Sequence, residues 1–217
     1  MKRNLYIITG TTSGLGKEIE KIFIEKSVDH ISINRGTVDL SNSTEVEHAT
    51  KNLRKKISKK YNEHKIVFIN NAATIGPIVP MRFQTTKQIL DVINVNFIAP
   101  LLFLGEFVKM KNEWAIFNIT SGAANSYNKY LGLYSTTKLA YENYLKFVEL
   151  EKEENNCRAI YNYDPGIIQT SIHKKLKNSE FFKNKKFEKS TPRDVIMVAT
   201  EVYNLLEDIT NDNERVG

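Results

Sequence analysis

The 217-residue chain contains one cysteine, Cys157. That excludes an internal disulfide framework and a four-cysteine zinc site. The four histidines, His30, His48, His64 and His173, share no ligand spacing, so no metal is expected. Long hydrophobic runs are missing too. The longest, Phe97 to Leu104, has Pro100 inside it and is far shorter than the ~20 residues that span a bilayer, so no membrane association is expected. Near the start, Leu5-Tyr6-Ile7-Ile8 is too short for the core of a signal peptide. The expected location is the reducing cytoplasm. No repeat and no low-complexity linker interrupts the chain, and residues 1–217 read as a single domain. The net charge is +6, with lysine clusters at residues 51–60 and 174–189. Neither cluster has the pattern of a helix-turn-helix, a zinc finger or an RNA-recognition motif. The charge reads as a solvated surface, and nucleic acid is not expected as a partner.

What is present is an alternation. Leu5-Tyr6-Ile7-Ile8 reads as a buried strand, and Gly16 to Lys26 carries Ile19, Ile22 and Phe23 at helical spacing. His30 to Arg35 alternates like a strand, and Thr37 to Leu40 reads as another at once. Ser43 to Tyr61 is a predicted helix capped by Ser43 or Thr44. Ile66 to Ile69, Trp114 to Ile119 and Ala159 to Tyr163 are predicted strands. Thr85 to Lys111 and Tyr134 to Lys152 are predicted helices. Thr191-Pro192 reads as the cap and first residue of a final helix ending near Asp208. Strands separated by helices of this length imply βαβ units and an α/β, doubly wound parallel sheet with helices on both faces. Short apolar strands agree, because central parallel strands are buried on both sides.

Between the first strand and first helix lies Thr9-Gly10-Thr11-Thr12-Ser13-Gly14-Leu15-Gly16. Gly10 permits a tight turn, Gly14 lets a ligand approach the backbone, and Gly16 lets the helix pack close to the sheet. The helix N-terminus then offers free N–H groups to a pyrophosphate. The spacing is neither the standard dinucleotide fingerprint nor a P-loop.

Tyr134 and Lys138 stand four residues apart on one helix face. A phenol with a pKa of ~10 is a poor acid at neutral pH. A lysine ammonium about 5 Å away, at an effective dielectric of ~20, favours the phenolate by roughly 3 kcal/mol, which predicts a lowered Tyr134 pKa. The pair alone means little, since Tyr61 and Lys65 share the spacing. Its company is what matters. Gly10, Asp39, Asn71, Ser121 and Pro165-Gly166 all fall at the ends of predicted strands, where open parallel sheets bind ligands.

The set resembles the short-chain dehydrogenase/reductase (SDR) family over nearly the whole chain. The matching pieces are Thr9-Gly10-x3-Gly14-x-Gly16, Asp39-Leu40, Asn70-Asn71-Ala72, Asn96, Ser121, Tyr134-x3-Lys138 and Pro165-Gly166-x3-Thr170. Tyr6 to Gly10 and Asn118 to Ala124 are most similar to the benzil reductase and sepiapterin-reductase-like members. The resemblance implies a Rossmann-type domain and an oxidoreductase that reduces a ketone or α-diketone with hydride from a nicotinamide. It implies Tyr134 as proton donor, Ser121 on the substrate carbonyl, Lys138 at the nicotinamide ribose, and Asn96 positioning Lys138. Gly10, Ser13, Gly14, Leu15 and Gly16 would line the pyrophosphate. Asp39 and Leu40 would meet the adenine and Asn71 the ribose, Ile168 and Thr170 would hold the carboxamide, and Ala72, Pro165 and Gly166 would also bind the cofactor. The second strand ends Ile33-Asn34-Arg35 without an acid, and Arg35 suits a 2′-phosphate, so NADP(H) is expected over NAD(H).

Some features depart from the family. Arg35-Gly36-Thr37 leaves no room for a helix between the second and third strands, although a parallel pair needs a crossover of about a dozen residues. Either a loop replaces that helix or the strand ends lie elsewhere. Ala73 replaces a glycine, and Asp164 stands before Pro165-Gly166, touching substrate or capping a turn. A last strand would only be starting at Arg215-Val216-Gly217. Residues 172–188 resemble the family's substrate lid and carry Leu176, Phe181, Phe182 and Phe187; a surface helix packing those aromatics would look the same. Tyr127, Tyr130 and Leu131 are further candidates for an apolar pocket. The family also implies a homodimer or homotetramer through the helices bearing Asn96 and Tyr134. Phe97, Leu101, Phe103, Leu104, Phe107, Tyr141, Tyr144 and Leu145 suit that interface or the core equally. Two other readings compete: a non-catalytic NADP(H)-binding sensor, which has no need of the proton donor, and a nucleic-acid binder working through the basic surface.

Overall fold

The computed structural model describes residues 3–211. Five parallel strands form one sheet in the order β2-β1-β3-β4-β5: β1 Asn4–Thr9, β2 His30–Ile33, β3 Lys65–Asn70, β4 Trp114–Ile119 and β5 Cys157–Tyr163. Helices cover both faces. They are α1 Gly14–Glu25, α2 Ser43–Lys60, α3 Thr86–Ile93, α4 Ala99–Phe107, α5 Gly132–Leu150, α6 Ser171–Lys177, α7 Lys185–Glu188 and α8 Val195–Asn211. Successive strand residues point to opposite faces, which divides the core in two. Leu5, Ile7, Phe68 and Ile116 pack with side chains of α2, α4 and α5. Tyr6, Ile8, Ile69 and Phe117 pack with those of α1 and α8. Every residue of β4 is buried, as the centre of a doubly covered sheet requires.

Four sequence expectations are corrected here. Thr37 to Leu40 is not a strand. The Asn34 carbonyl accepts from the N–H groups of Thr37 and Val38, and its side chain accepts from Gly36 N–H at 3.0 Å. These bonds close a turn in a connection too short for a parallel crossover. Val38 is still buried, on the core rather than in the sheet. Asn42, not Ser43 or Thr44, caps α2, its side chain accepting from Glu45 N–H at 3.2 Å. The last helix starts at Val195, because Arg193 is drawn into a bridge with Ile168, and Asp194 then takes the N–H groups of Ile196 and Met197. The helix expected from Thr85 is interrupted by a π-helical turn, Asn94–Ile98. The strand expected at Arg215-Val216-Gly217 lies outside the described residues.

Among the described residues one helical stretch, Thr86–Phe107, is long and apolar enough to cross a membrane. Single apolar runs understate it, because isolated polar residues interrupt them. Here Phe103, Leu104 and Phe107 sit in the core, and the buried Glu106 pairs with Arg54 and Lys109, both at 2.6 Å, so it is a core helix. Phe103, Leu104, Phe107, Tyr141 and Leu145 are likewise core residues, which removes them from the expected subunit interface. Tyr144 remains exposed, with Phe147 and Leu150 beyond it on α5.

Candidate active site

The carboxyl ends of β1, β3, β4 and β5 open onto one cavity of about 1200 Å³, lined by the loops after each strand and by α6 and α7. Parallel topology forces this convergence: every strand delivers its following loop to the same edge.

On the β1 side, Gly10 and Gly14 have φ of +78° and +60°, a region that disfavours side chains. A Cβ on Gly16 would stand 2.4 Å from both the Gly10 carbonyl oxygen and Asn71 Nδ2, so α1 can press against the loop only as glycine. The first turn of α1 has no acidic residue, and Ser13 at its N-cap makes no side-chain bond to it. Uncapped N–H groups at the mouth of a cavity, approached by a glycine loop, fit the pyrophosphate of a dinucleotide. Asn71 braces this arrangement. Its Nδ2 donates to the carbonyls of Thr9 at 2.8 Å and Gly10 at 3.3 Å, while Thr9 Oγ1 accepts from the N–H groups of Asn71 and Ala72.

Arg35, Asp39 and Leu40 line the adjoining wall although their segment is a loop. Hydrogen bonds from the backbone N–H and hydroxyl of Ser41 hold the Asp39 carboxyl below its ordinary pKa, and Arg35 adds to this. No acid follows β2 directly.

On the opposite wall stand Ser121, Tyr134 and Lys138. Ser121 lies two residues beyond β4, its hydroxyl accepting from Ala123 N–H at 3.2 Å. Tyr134 and Lys138 project from the first turns of α5 and are both buried. Burial raises the Tyr134 pKa, a hydrogen bond with Ser121 opposes this, and the charge of Asp164 adds to it. This reverses the lowering expected from Lys138. The lysine ammonium is turned to the Ile119 carbonyl at 2.7 Å, and burial pushes its own pKa down to about 8, with Glu142 opposing.

Of the residues singled out from the sequence, Gly10, Ser13, Gly14, Leu15, Arg35, Asp39, Leu40, Asn71, Ala72, Ser121, Tyr134, Lys138, Pro165, Gly166, Ile168 and Thr170 line this cavity. Gly16 and Asn96 do not. Asn96 is buried behind the wall in the π-helical turn. Its Oδ1 accepts from Thr74 N–H, and its Nδ2 donates to the Thr74 carbonyl and to Thr137 Oγ1. It thereby ties the loop after β3 to α5. Tyr127 is fully exposed and leaves the expected pocket, whereas Leu131 lines it. Within residues 172–188, Phe182 and Phe187 pack with Ile75, Leu131 and Tyr134. Lys175 Nζ donates to the Gly76 carbonyl at 2.6 Å across the cavity.

Sequence reasoning missed a row of amides. At matched register, Asn70 Nδ2 donates to Asn118 Oδ1 at 2.9 Å, and Asn118 Nδ2 donates to Asn162 Oδ1 at 2.8 Å. Three asparagines near strand ends were the available signal, but only the register aligns them.

A family model described as short chain dehydrogenase matches residues 4–180. Over 197 residues the chain is 28% identical to a benzil reductase ((S)-benzoin forming) of Bacillus cereus, spanning 80% of this chain and 79% of that protein. A benzil reductase of the same description from Bacillus subtilis (strain 168) is 27% identical over 193 residues, with 81% and 79% covered. Among solved structures, a 4-hydroxyisoleucine dehydrogenase complexed with NADH superposes with a TM-score of 0.72 at 22% identity, over 99% of this chain and 93% of that one. A short chain dehydrogenase from Burkholderia cenocepacia in complex with NADP gives 0.68 at 16% identity, over 95% and 85%. At these identities the solved structures establish a common fold.

Proposed function

The chain belongs to the short-chain dehydrogenase family, and from that premise we propose that it is an NADPH-dependent carbonyl reductase converting ketones or α-diketones to alcohols. The observation that carries this reading is the wall of Ser121, Tyr134 and Lys138 facing the uncapped N-terminus of α1 across one cavity. Bound along that cavity, reduced nicotinamide would supply the hydride. Ser121 would hold the substrate oxygen, and Tyr134 would release its hydroxyl proton to that oxygen as it gains negative charge. Burial raises the Tyr134 pKa and so weakens the phenol as an acid, and the negative charge building on the substrate oxygen as hydride arrives is what would draw its proton off. Lys138 would anchor the ribose beside it. Asn96 would act behind the wall by fixing the approach of α5 to the loop after β3. Arg35, with no acid directly after β2, supports NADPH over NADH. The apolar Phe182, Phe187 and Leu131 support an apolar carbonyl substrate, with residues 172–188 as its lid. Tyr144, Phe147 and Leu150, exposed on α5, support a homo-oligomer.

The test is NADPH consumption with benzil and a panel of apolar ketones, for wild type beside Tyr134→Phe, with NADH in parallel. The expected result is turnover that falls by about 100-fold or more without the phenol. Retained NADPH affinity with no turnover of any ketone would point to a dinucleotide sensor. Failure to bind either dinucleotide would overturn the reading.

A further inference from the structure

Asp164 follows β5 directly, and its carboxylate enters the same cavity as Ser121 and Tyr134. Its two oxygens have different employment. Oδ1 accepts from Gly166 N–H at 2.9 Å and so caps the Pro165-Gly166 turn. Oδ2 faces the residue after Ser121: a Cβ on Gly122 would stand 3.1 Å from it. The nearby cations are committed elsewhere. Arg193 pairs with Glu201 and donates to the Pro165 carbonyl, Lys138 donates to the Ile119 carbonyl, and Lys175 to that of Gly76. Among the described residues no salt bridge reaches Asp164. Its charge is nonetheless close enough to act on the Tyr134 hydroxyl.

We propose that Asp164 sets the substrate class of the cavity: its free oxygen accepts a hydrogen bond from a hydroxyl or ammonium group borne next to the reacting carbonyl, and its charge turns away compounds that carry a carboxylate there. The choice rests on the reductase reading above. The chemistry is that of an ionised carboxylate, which only accepts hydrogen bonds and makes its strongest ones to good donors. A substrate carboxylate in the same place would set two like charges together, and discrimination comes as much from that repulsion as from the favourable contact. Gly122 contributes by leaving Oδ2 uncovered.

Asparagine separates this role from turn capping, since Asp164→Asn keeps an oxygen for Gly166 N–H and loses the charge. Four probes are titrated by calorimetry into the full chain with saturating NADP⁺: acetophenone, 2-hydroxyacetophenone, benzoylformate and benzoylformamide. In wild type the hydroxyketone should bind about tenfold more tightly than acetophenone, and the amide at least tenfold more tightly than the acid. In Asp164→Asn both ratios should contract to within about threefold of unity. Ratios that stay at their wild-type values in the variant, or no measurable binding of any probe, would overturn the proposal. Turnover of the neutral ketones with NADPH is recorded separately. Ratios that move in a protein that reduces none of them would sink the reductase reading and leave Asp164 as the selector of ligands. Turnover with unmoved ratios would do the reverse.

Discussion

Lys138 carries its ammonium into the protein with the Ile119 carbonyl as hydrogen-bond partner, and burial lowers its pKa from the ordinary 10.5 to about 8. Between those values the unfolded chain binds a proton that the folded chain has released. Stability therefore rises with pH across that window, and below about pH 8 the fold carries the whole penalty. The shift corresponds to a penalty on the order of 3 kcal/mol. Lys138→Met should accordingly stabilise the ligand-free protein at pH 7 by about 1–3 kcal/mol in urea titrations while abolishing reduction. The gain should fade as pH approaches 10.5. A gain of equal size at both pH values would show that burial of charge is not its origin. A sequence places Tyr134 and Lys138 on one helix face, but the direction of the ammonium depends on which carbonyl the neighbouring strand offers. Burial raises the Tyr134 pKa, and an ammonium turned to that carbonyl does not offset it, so the expected lowering fails.

At the scale of elements, the amide row joins β3, β4 and β5 on one face of the sheet. Asn118 is buried within it and Asn162 is exposed at its end. Asn118→Leu strands the buried Asn70 amide and should cost about 1–3 kcal/mol. Asn162→Ala, where water can replace the lost partner, should cost under about 1 kcal/mol. Equal costs from chemical denaturation would contradict this account. The elements legible in the sequence are those with a redundant signal: β1, β3 and β4 each carry a run of four apolar residues, and α2 and α5 are long and periodic. Thr37 to Leu40 misleads because its composition is strand-like, while the decisive residue is Asn34, whose carbonyl and side chain capture the following N–H groups. The final helix misleads in the same way. Thr191-Pro192 has the local chemistry of a helix start, and a long-range bridge at Arg193 overrides it.

At the scale of the molecule, the cavity is legible because its parts are turns at strand ends, each with its own short motif, and parallel topology gathers them without further instruction. What stays hidden is whatever depends on register or on a distant contact: the Asn96–Thr74–Thr137 links, the Lys175–Gly76 bond and the amide row. A ligand spanning the cavity should stabilise the whole fold. With NADPH at a hundred times its Kd, the gain is about 2.7 kcal/mol. For a chain of this size that raises Tm by roughly 5–10 °C in a thermal melt. NADH at the same concentration should give a smaller rise, and no rise with either would argue against a dinucleotide site.

The cavity's walls also come from opposite ends of the chain, from Gly10 in the first loop to Ser190 beyond the lid segment. During synthesis, at about 5–20 residues per second, roughly 10–35 s separate the emergence of those two residues. The glycine loop can leave the ribosome and fold against β1 while the rest of its pocket is still being translated. A dinucleotide held in this cavity would therefore find its site complete only once Ser190 has emerged, long after the glycine loop that would grip its pyrophosphate.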